Sequence, residues 1–158
     1  MIRLLKESDR EEIEKIISSI NTFSSEEKKV ALELIDIFLS QPLQKDYVVE
    51  VITDELADNK IAGYTCYGLT PMTVSTYDLY WIVVASDSQN KGFGKRLIEY
   101  AENNCRSKGG KLLVVETSSR ADYAPTRSFY EKKGYQLEAK IRDFYRAGDD
   151  KIIYTKRL

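Results

Sequence analysis

The chain has 158 residues, 42% hydrophobic and 31% charged, with 24 basic against 25 acidic side chains and a formal net charge of −1. This length predicts one domain over residues 1–158, large enough to bury about two-thirds of its unfolded surface without a disulfide or metal staple. The balanced charge removes the bulk electrostatic case for nucleic acid. The longest apolar run, Leu79 to Ala85, falls far short of the ~20 residues of a membrane span. The N-terminal residues turn acidic and polar too soon for a secretory signal. Cys66 and Cys105 form no CxxC pair, and with no histidine present Ser-His-Asp, Cys-His and HExxH chemistries are excluded. The expectation is a cytoplasmic protein that moves protons with carboxylates, lysines, tyrosines or water.

In chain order, Met1–Leu5 reads as a short strand. Ser8-Asp9-Arg10-Glu11 fits a capping box, after which Ile13, Ile16, Ile17 and Ile20 recur on one helical face. A second box, Ser24-Ser25-Glu26-Glu27, opens a helix with an apolar stripe of Val30, Ala31, Leu34 and Phe38, ended by Pro42. Tyr47–Ile52 and Ile61–Leu69 alternate as strands around the turn Ala57–Lys60. Tyr77–Ala85 is a third strand, apolar enough to predict cover on both faces. Gly92–Ser107 is a helix with Leu97, Ile98, Ala101 and Cys105 inward, stopped by Gly109-Gly110. Lys111–Glu116 is a buried strand, and a short helix follows over Pro125–Lys132, closed by Gly134. Tyr135–Arg146 and Lys151–Lys156, joined by Ala147-Gly148-Asp149-Asp150, complete the chain. The order β-α-α-β-β-β-α-β-α-β-β predicts an α/β (α+β) fold, a mixed, mostly antiparallel seven-stranded sheet with helices on both faces.

The strand-to-helix junction after Ala85 carries the chemistry. In Gln89-Asn90-Lys91-Gly92-Phe93-Gly94-Lys95-Arg96 the two glycines let a ligand approach the backbone, and three cations flank them. The first amides of a helix lack intrahelical acceptors and the helix dipole favours an anion there, so a diphosphate is the expected occupant. The stretch fits neither a Walker loop, since Lys95 is followed by Arg96, nor a GxGxxG fingerprint, which lacks its third glycine at Leu97.

Gln89-x-x-Gly92-x-Gly94 after an apolar strand, followed by Ser128-Phe129-Tyr130-Glu131-Lys132-Lys133-Gly134-Tyr135, resembles the GCN5-related N-acetyltransferase (GNAT) superfamily. The first stretch is similar to its pyrophosphate loop and the second to its "FYEKxGF" segment, and the element order matches from end to end. The resemblance implies transfer of an acetyl group from acetyl-CoA to a primary amine, with no metal. It implies that Leu79–Ala85 splays from its parallel neighbour Lys111–Glu116, with pantetheine in the V against main-chain groups of Ile82, Val83 and Val84. It places the pyrophosphate on Gln89, Asn90, Lys91, Gly92, Phe93, Gly94 and Lys95, and sets Tyr130 facing the CoA sulfur. Thr126 and Arg127, one helical turn before Tyr130, are on the helix surface expected to face the cofactor. Two places depart from the family pattern. Relatives often carry asparagine and alanine where this chain has Tyr123 and Thr126, and many carry a glutamate inside the strand, where Leu79–Val84 has none.

The chemistry needs a neutral amine, an oxyanion donor and a proton for the leaving thiolate. Glu116 and Asp78 are the candidate bases, acting through water on an amine whose ordinary pKa is ~10.4; for each the competing reading is a solvated or turn-proximal acid. Backbone N–H groups near Val83 would serve the oxyanion. Tyr130 is the candidate acid for sulfur, the competing reading being a core aromatic beside Phe129. Tyr77, Tyr80, Tyr123 and Tyr145 are candidates for an aromatic-walled acceptor cleft. A route through Cys66 or Cys105 is disfavoured, since neither has a histidine partner. The acceptor is a small-molecule or peptide amine whose identity stays open, and a homodimer is compatible with the sequence. The competing function is a CoA-binding regulatory module without turnover.

Overall fold

The computed structural model describes residues 1–158. Its elements are β1 (Ile2–Leu4), α1 (Arg10–Ser19), α2 (Ser25–Ser40), β2 (Val48–Asp54), β3 (Lys60–Leu69), β4 (Thr76–Val84), α3 (Phe93–Ser107), β5 (Leu112–Ser118), α4 (Ala124–Lys132), β6 (Gln136–Arg146) and β7 (Asp149–Arg157). The strands form one seven-stranded sheet in the order β1-β2-β3-β4-β5-β7-β6. β4 and β5 run parallel, while β1–β2, β2–β3, β5–β7 and β6–β7 are antiparallel. The mixed sheet and the element order are those expected from the sequence. Contacts between Cα atoms group the chain into two compact units, Met1–Gly68 with Tyr80–Asn104 and Leu69–Leu79 with Cys105–Leu158.

In the first unit, period-two alternation on β2 sends side chains to both faces of the sheet. Val49 and Val51 join Ile13, Ile16, Ile17, Ala31 and Ile35 of α1 and α2 in one core. Ile52 packs on the opposite face with Ala62 and with Phe93 and Leu97 of α3. The inward set predicted for α3, Leu97, Ile98, Ala101 and Cys105, is fully buried. Gly109, at φ +84°, ends that helix, and the Gly110 N–H reaches back to the Cys105 carbonyl.

Helix starts show where local pattern wins and where it loses. At α2 the predicted box forms: Ser24 Oγ accepts from Glu27 N–H at 3.1 Å and Ser24 N–H donates to the Glu27 carboxylate at 2.7 Å. At α1 the predicted Ser8–Glu11 box does not form. Asp9 instead accepts from the Lys6 N–H at 2.8 Å and from both terminal nitrogens of Arg3, at 2.6 and 3.0 Å. The reach-back contact forms two residues earlier than predicted, with Lys6 as the cap and Asp9 as the reaching carboxylate, and Arg3 adds a bidentate pair to it. Two further expectations are corrected. Val30 is 48% exposed, the inward residues of α2 being Ala31 and Ile35. β4 is not covered on both faces throughout: Tyr80 is 40% exposed, and Leu79 and Val83 are its buried positions.

The second unit centres on β5 and β7. Their ladder sets Leu113 opposite Lys156 and Val115 opposite Tyr154, and Leu113, Val115, Tyr130, Tyr135, Ile152 and Tyr154 are buried. Pro125 starts α4 and Gly134, at φ +82°, ends it. The loop joining β6 to β7 is Ala147-Gly148, two residues shorter than the sequence suggested.

Asp9 supplies a pH test. Burial raises its carboxyl, but the hydrogen bonds from Arg3 and Lys6 outweigh that and hold it below the ordinary carboxylate range. Its contribution is therefore complete above the unfolded value of ~3.9 and is lost as pH falls through the lower folded value. Asp9→Asn should cost about 1–2 kcal/mol at pH 7. Urea midpoints for wild type and variant should converge as the pH is taken below about 3.

Candidate active site

The loop between β4 and α3 is built within the first unit. Ala85 N–H donates to Ala62 O at 2.8 Å, so the strand stays paired until the loop begins. Ser88 is buried and its N–H closes a tight turn on Ala85 O at 2.8 Å. Asp87 takes the Lys60 ammonium at 2.6 Å, which ties the loop to the start of β3. Two left-handed residues, Asn90 at φ +61° and Gly92 at φ +85°, then turn the chain into the helix. Arg96 N–H donates to Gly92 O, making Gly92 the N-cap, so the amides of Phe93, Gly94 and Lys95 lie in the first turn without intrahelical acceptors. A Cβ placed on Gly92 would have no atom within 4 Å. Gln89, Asn90, Lys91 and Gly92 are exposed, as are Lys95 and Arg96. The Phe93 ring is core, 7% exposed, so this residue offers a ligand its backbone only. The geometry suits an anion resting on bare amides with cations around it.

Upstream, Val83 packs into the α1–α2 core while Ile82 and Val84 lean on the α3 side. Gly63 of β3 permits this arrangement: a Cβ there would fall 2.3 Å from Val83 O. Sequence reading missed Gly63, because nothing local marks a glycine whose reason is a strand pairing twenty residues away.

The remaining candidates belong to the second unit. The parallel ladder pairs Thr76 with Leu112, Tyr77 with Leu113, Asp78 with Val114 and Leu79 with Val115. Asp78 thus shares a sheet face with Val114 and Glu116. Asp78 accepts from Thr70 Oγ1 at 2.8 Å, a turn-bracing contact. The Glu116 side chain is 50% exposed and meets Lys151 Nζ at 2.6 Å; Lys151 is only 14% exposed, with its ammonium 4.0 Å from the Phe144 ring centroid. The sequence reading missed Lys151, which the β5–β7 register brings alongside by pairing it with Ser118. Tyr130 is 4% exposed, with ring centroids of Phe129, Tyr135 and Tyr154 at 5.5, 5.4 and 6.2 Å. Burial pushes its phenol well above the ordinary value, so it stays protonated at neutral pH. Arg127 donates to Ser118 O at 2.7 Å and Arg120 O at 2.8 Å, clamping the loop that leads from β5 to α4. Thr126 is half-buried on the same helix.

The predicted acceptor tyrosines have separate surroundings. The Tyr77 ring lies against the Gly110 backbone, Tyr123 sits under the Arg120 guanidinium at 5.0 Å, and Tyr145 is edge-on to Phe144. Tyr80 pairs with Tyr47 at 6.3 Å. Both cysteines are buried, and burial raises the Cys66 thiol far from thiolate formation.

The family described as the acetyltransferase (GNAT) domain matches residues 45–137. The chain belongs to the GNAT acetyltransferase family. It is accordingly an acyltransferase. A GNAT-family acetyltransferase structure from Desulfovibrio desulfuricans is 42% identical, covers 99% of this chain and 98% of its own, and superposes with a TM-score of 0.92. The uncharacterized N-acetyltransferase YvbK of Bacillus subtilis (strain 168) is 28% identical over 131 residues, 80% of this chain and 82% of YvbK. An aminoglycoside 6'-N-acetyltransferase complexed with coenzyme A shares the fold at a TM-score of 0.75 and 15% identity, covering 99% and 96% of the two chains. No helix of this GNAT protein is long and apolar enough to cross a membrane.

The loop yields a direct test. Gly92→Val should weaken acetyl-CoA binding at least tenfold, because a β-branched residue resists φ +85° and so distorts the turn that presents the first-turn amides. Isothermal titration on variant protein with a native circular dichroism spectrum measures this; an unaltered Kd would remove the loop from the site.

Proposed function

We propose that the protein transfers the acetyl group of acetyl-CoA directly to the primary amine of a small molecule or peptide. The observation that carries this reading is the junction at Gly92: exposed first-turn amides, a left-handed glycine with open space above it, and Lys91, Lys95 and Arg96 alongside. That combination suits a diphosphate, the part of CoA with the most charge to neutralise.

In this reading the first-turn amides of Phe93, Gly94 and Lys95 hold the diphosphate, and the backbone of Ile82–Val84 aligns the pantetheine arm. The amine nitrogen forms its bond to the thioester carbon as the oxygen takes charge, and the C–S bond then breaks. Glu116 receives the ammonium proton through water, while Asp78, braced by Thr70, has the weaker case. Tyr130, kept protonated by burial, donates to the departing thiolate. Lys151 fixes the Glu116 carboxylate in place. The reaction is placed in the cytoplasm, where acetyl-CoA and reduced thiols coexist.

Two kinetic outcomes follow. Tyr130→Phe should lower kcat at least tenfold with little change in the acetyl-CoA KM, read by thiol release; unchanged turnover would take the phenol out of the reaction. Glu116→Gln should lower kcat/KM for the amine near pH 7, and the deficit should shrink as pH approaches ~10, where the amine loses its proton unaided. A deficit constant across pH would mean that Glu116 has a role other than proton removal.

A further inference from the structure

Five aromatic side chains lie in two contact sets on the α1–α2 side of the first unit, Phe23 with Trp81 and Phe38 with Tyr47 and Tyr80, four of them packed on the rim of the core. Phe23 follows α1, Phe38 lies on α2, Tyr47 precedes β2, and Tyr80 and Trp81 are consecutive on β4. Phe23 and Trp81 are T-shaped at 5.0 Å, Tyr47 and Tyr80 T-shaped at 6.3 Å, and Phe38 and Tyr47 tilted at 6.4 Å. None of the five is buried to the depth of the core. Tyr47 is oriented by its hydroxyl, which donates to Leu34 O at 2.9 Å, and the Trp81 ring by its edge contact with Phe23, its backbone carbonyl accepting from the Thr65 hydroxyl at 3.1 Å.

Charge adds a direction. Burial first, then the neighbouring Cys66, Asp46, Glu33 and Tyr80, push the Tyr47 phenol up to about 12, and of these neighbours Asp46 and Glu33 are carboxylates. Asp46 and Glu33 are both exposed. Negative ring faces flanked by carboxylates favour a cation. Trp81 is also two residues before Val83, about 7 Å along the strand, which sets the scale of the separation between the indole's strand position and the backbone assigned to the pantetheine arm.

We propose that Phe23, Phe38, Tyr47, Tyr80 and Trp81 form an acceptor subsite for the distal positive charge of an aliphatic amine, so that the substrate is an oligocationic amine with about 7 Å between its charged groups. The assignment rests on the acetyltransferase reading for the reaction, and on ring geometry and charge for the ligand.

Trp81 is the only tryptophan in the chain and reports on the subsite without turnover. The probes are (4-aminobutyl)trimethylammonium and its neutral isostere 5,5-dimethylhexylamine, which differ in one charge at equal size. The cation should change Trp81 fluorescence saturably and bind about tenfold more tightly than the isostere. Tyr80→Leu should narrow that ratio, Tyr80→Phe should keep it, and Tyr80 is 40% exposed, so neither removes a core contact. Equal or tighter binding of the isostere, or no saturable response to the cation, overturns the subsite. Thiol-release kinetics with the same pair separate the two readings. Equal kcat/KM for both amines defeats the subsite and leaves acetyl transfer standing. Discrimination in fluorescence without thiol release with either amine defeats acetyl transfer and leaves the cation subsite standing.

Discussion

A single strand carries two different obligations. The first four residues of β4, Thr76 to Leu79, pair in parallel with Leu112 to Val115 of β5. From Trp81 onward the visible ties are to β3, through Thr65 on the Trp81 carbonyl and Ala85 on Ala62. The absence of a Cβ at Gly63 is what lets β3 lie so close to Val83. An alanine there would force backbone against backbone, since the obstructing atom is a carbonyl oxygen and cannot swing aside as a side-chain tip does. The placement of Ile82–Val84, and of the loop that continues from them, depends on that contact.

The two reacting side chains proposed here have contrasting surroundings. Tyr130 is packed among three aromatic rings, which disfavours its charged form. Glu116 stands half in solvent beside a lysine ammonium. Lys151 itself is held from two sides, by the carboxylate and by the Phe144 ring, so the pair is fixed by the β6–β7 hairpin rather than by side-chain chance.

Local signals carried most of the fold into the sequence. The Ser24–Glu27 box, the inward face of α3, Pro125 at the start of α4 and the glycines at 109 and 134 all act within one or two turns, and each appears in the structure as read. The glycine-bearing turn into α3 was legible for the same reason. Long-range partners were not. Asp9 pairs with Arg3 of β1 as well as with the Lys6 N–H, Lys151 reaches Glu116 through the β5–β7 register, and Gly63 answers to Val83. Phe23 and Trp81 lie 58 positions apart, and no spacing rule joins residues separated by a helix and two strands.

The same distinction bears on what a family shares and what one member owns. In the reading proposed here the pyrophosphate is met by a helix N-terminus, whose backbone groups any sequence can supply once a glycine admits the ligand. An acceptor amine differs from one relative to the next and must be met by side chains. In this protein those nearest the β4 backbone are aromatic rings with acidic neighbours, drawn from α2, β4 and the segments flanking α1 and β2. Each ring is pinned by contacts that involve no ligand, so its orientation is set during folding and little ordering cost remains to be met on binding. A pre-oriented wall of this kind discriminates by charge more than by exact shape, because ring faces attract a cation over a range of positions while a neutral group of equal size gains only dispersion.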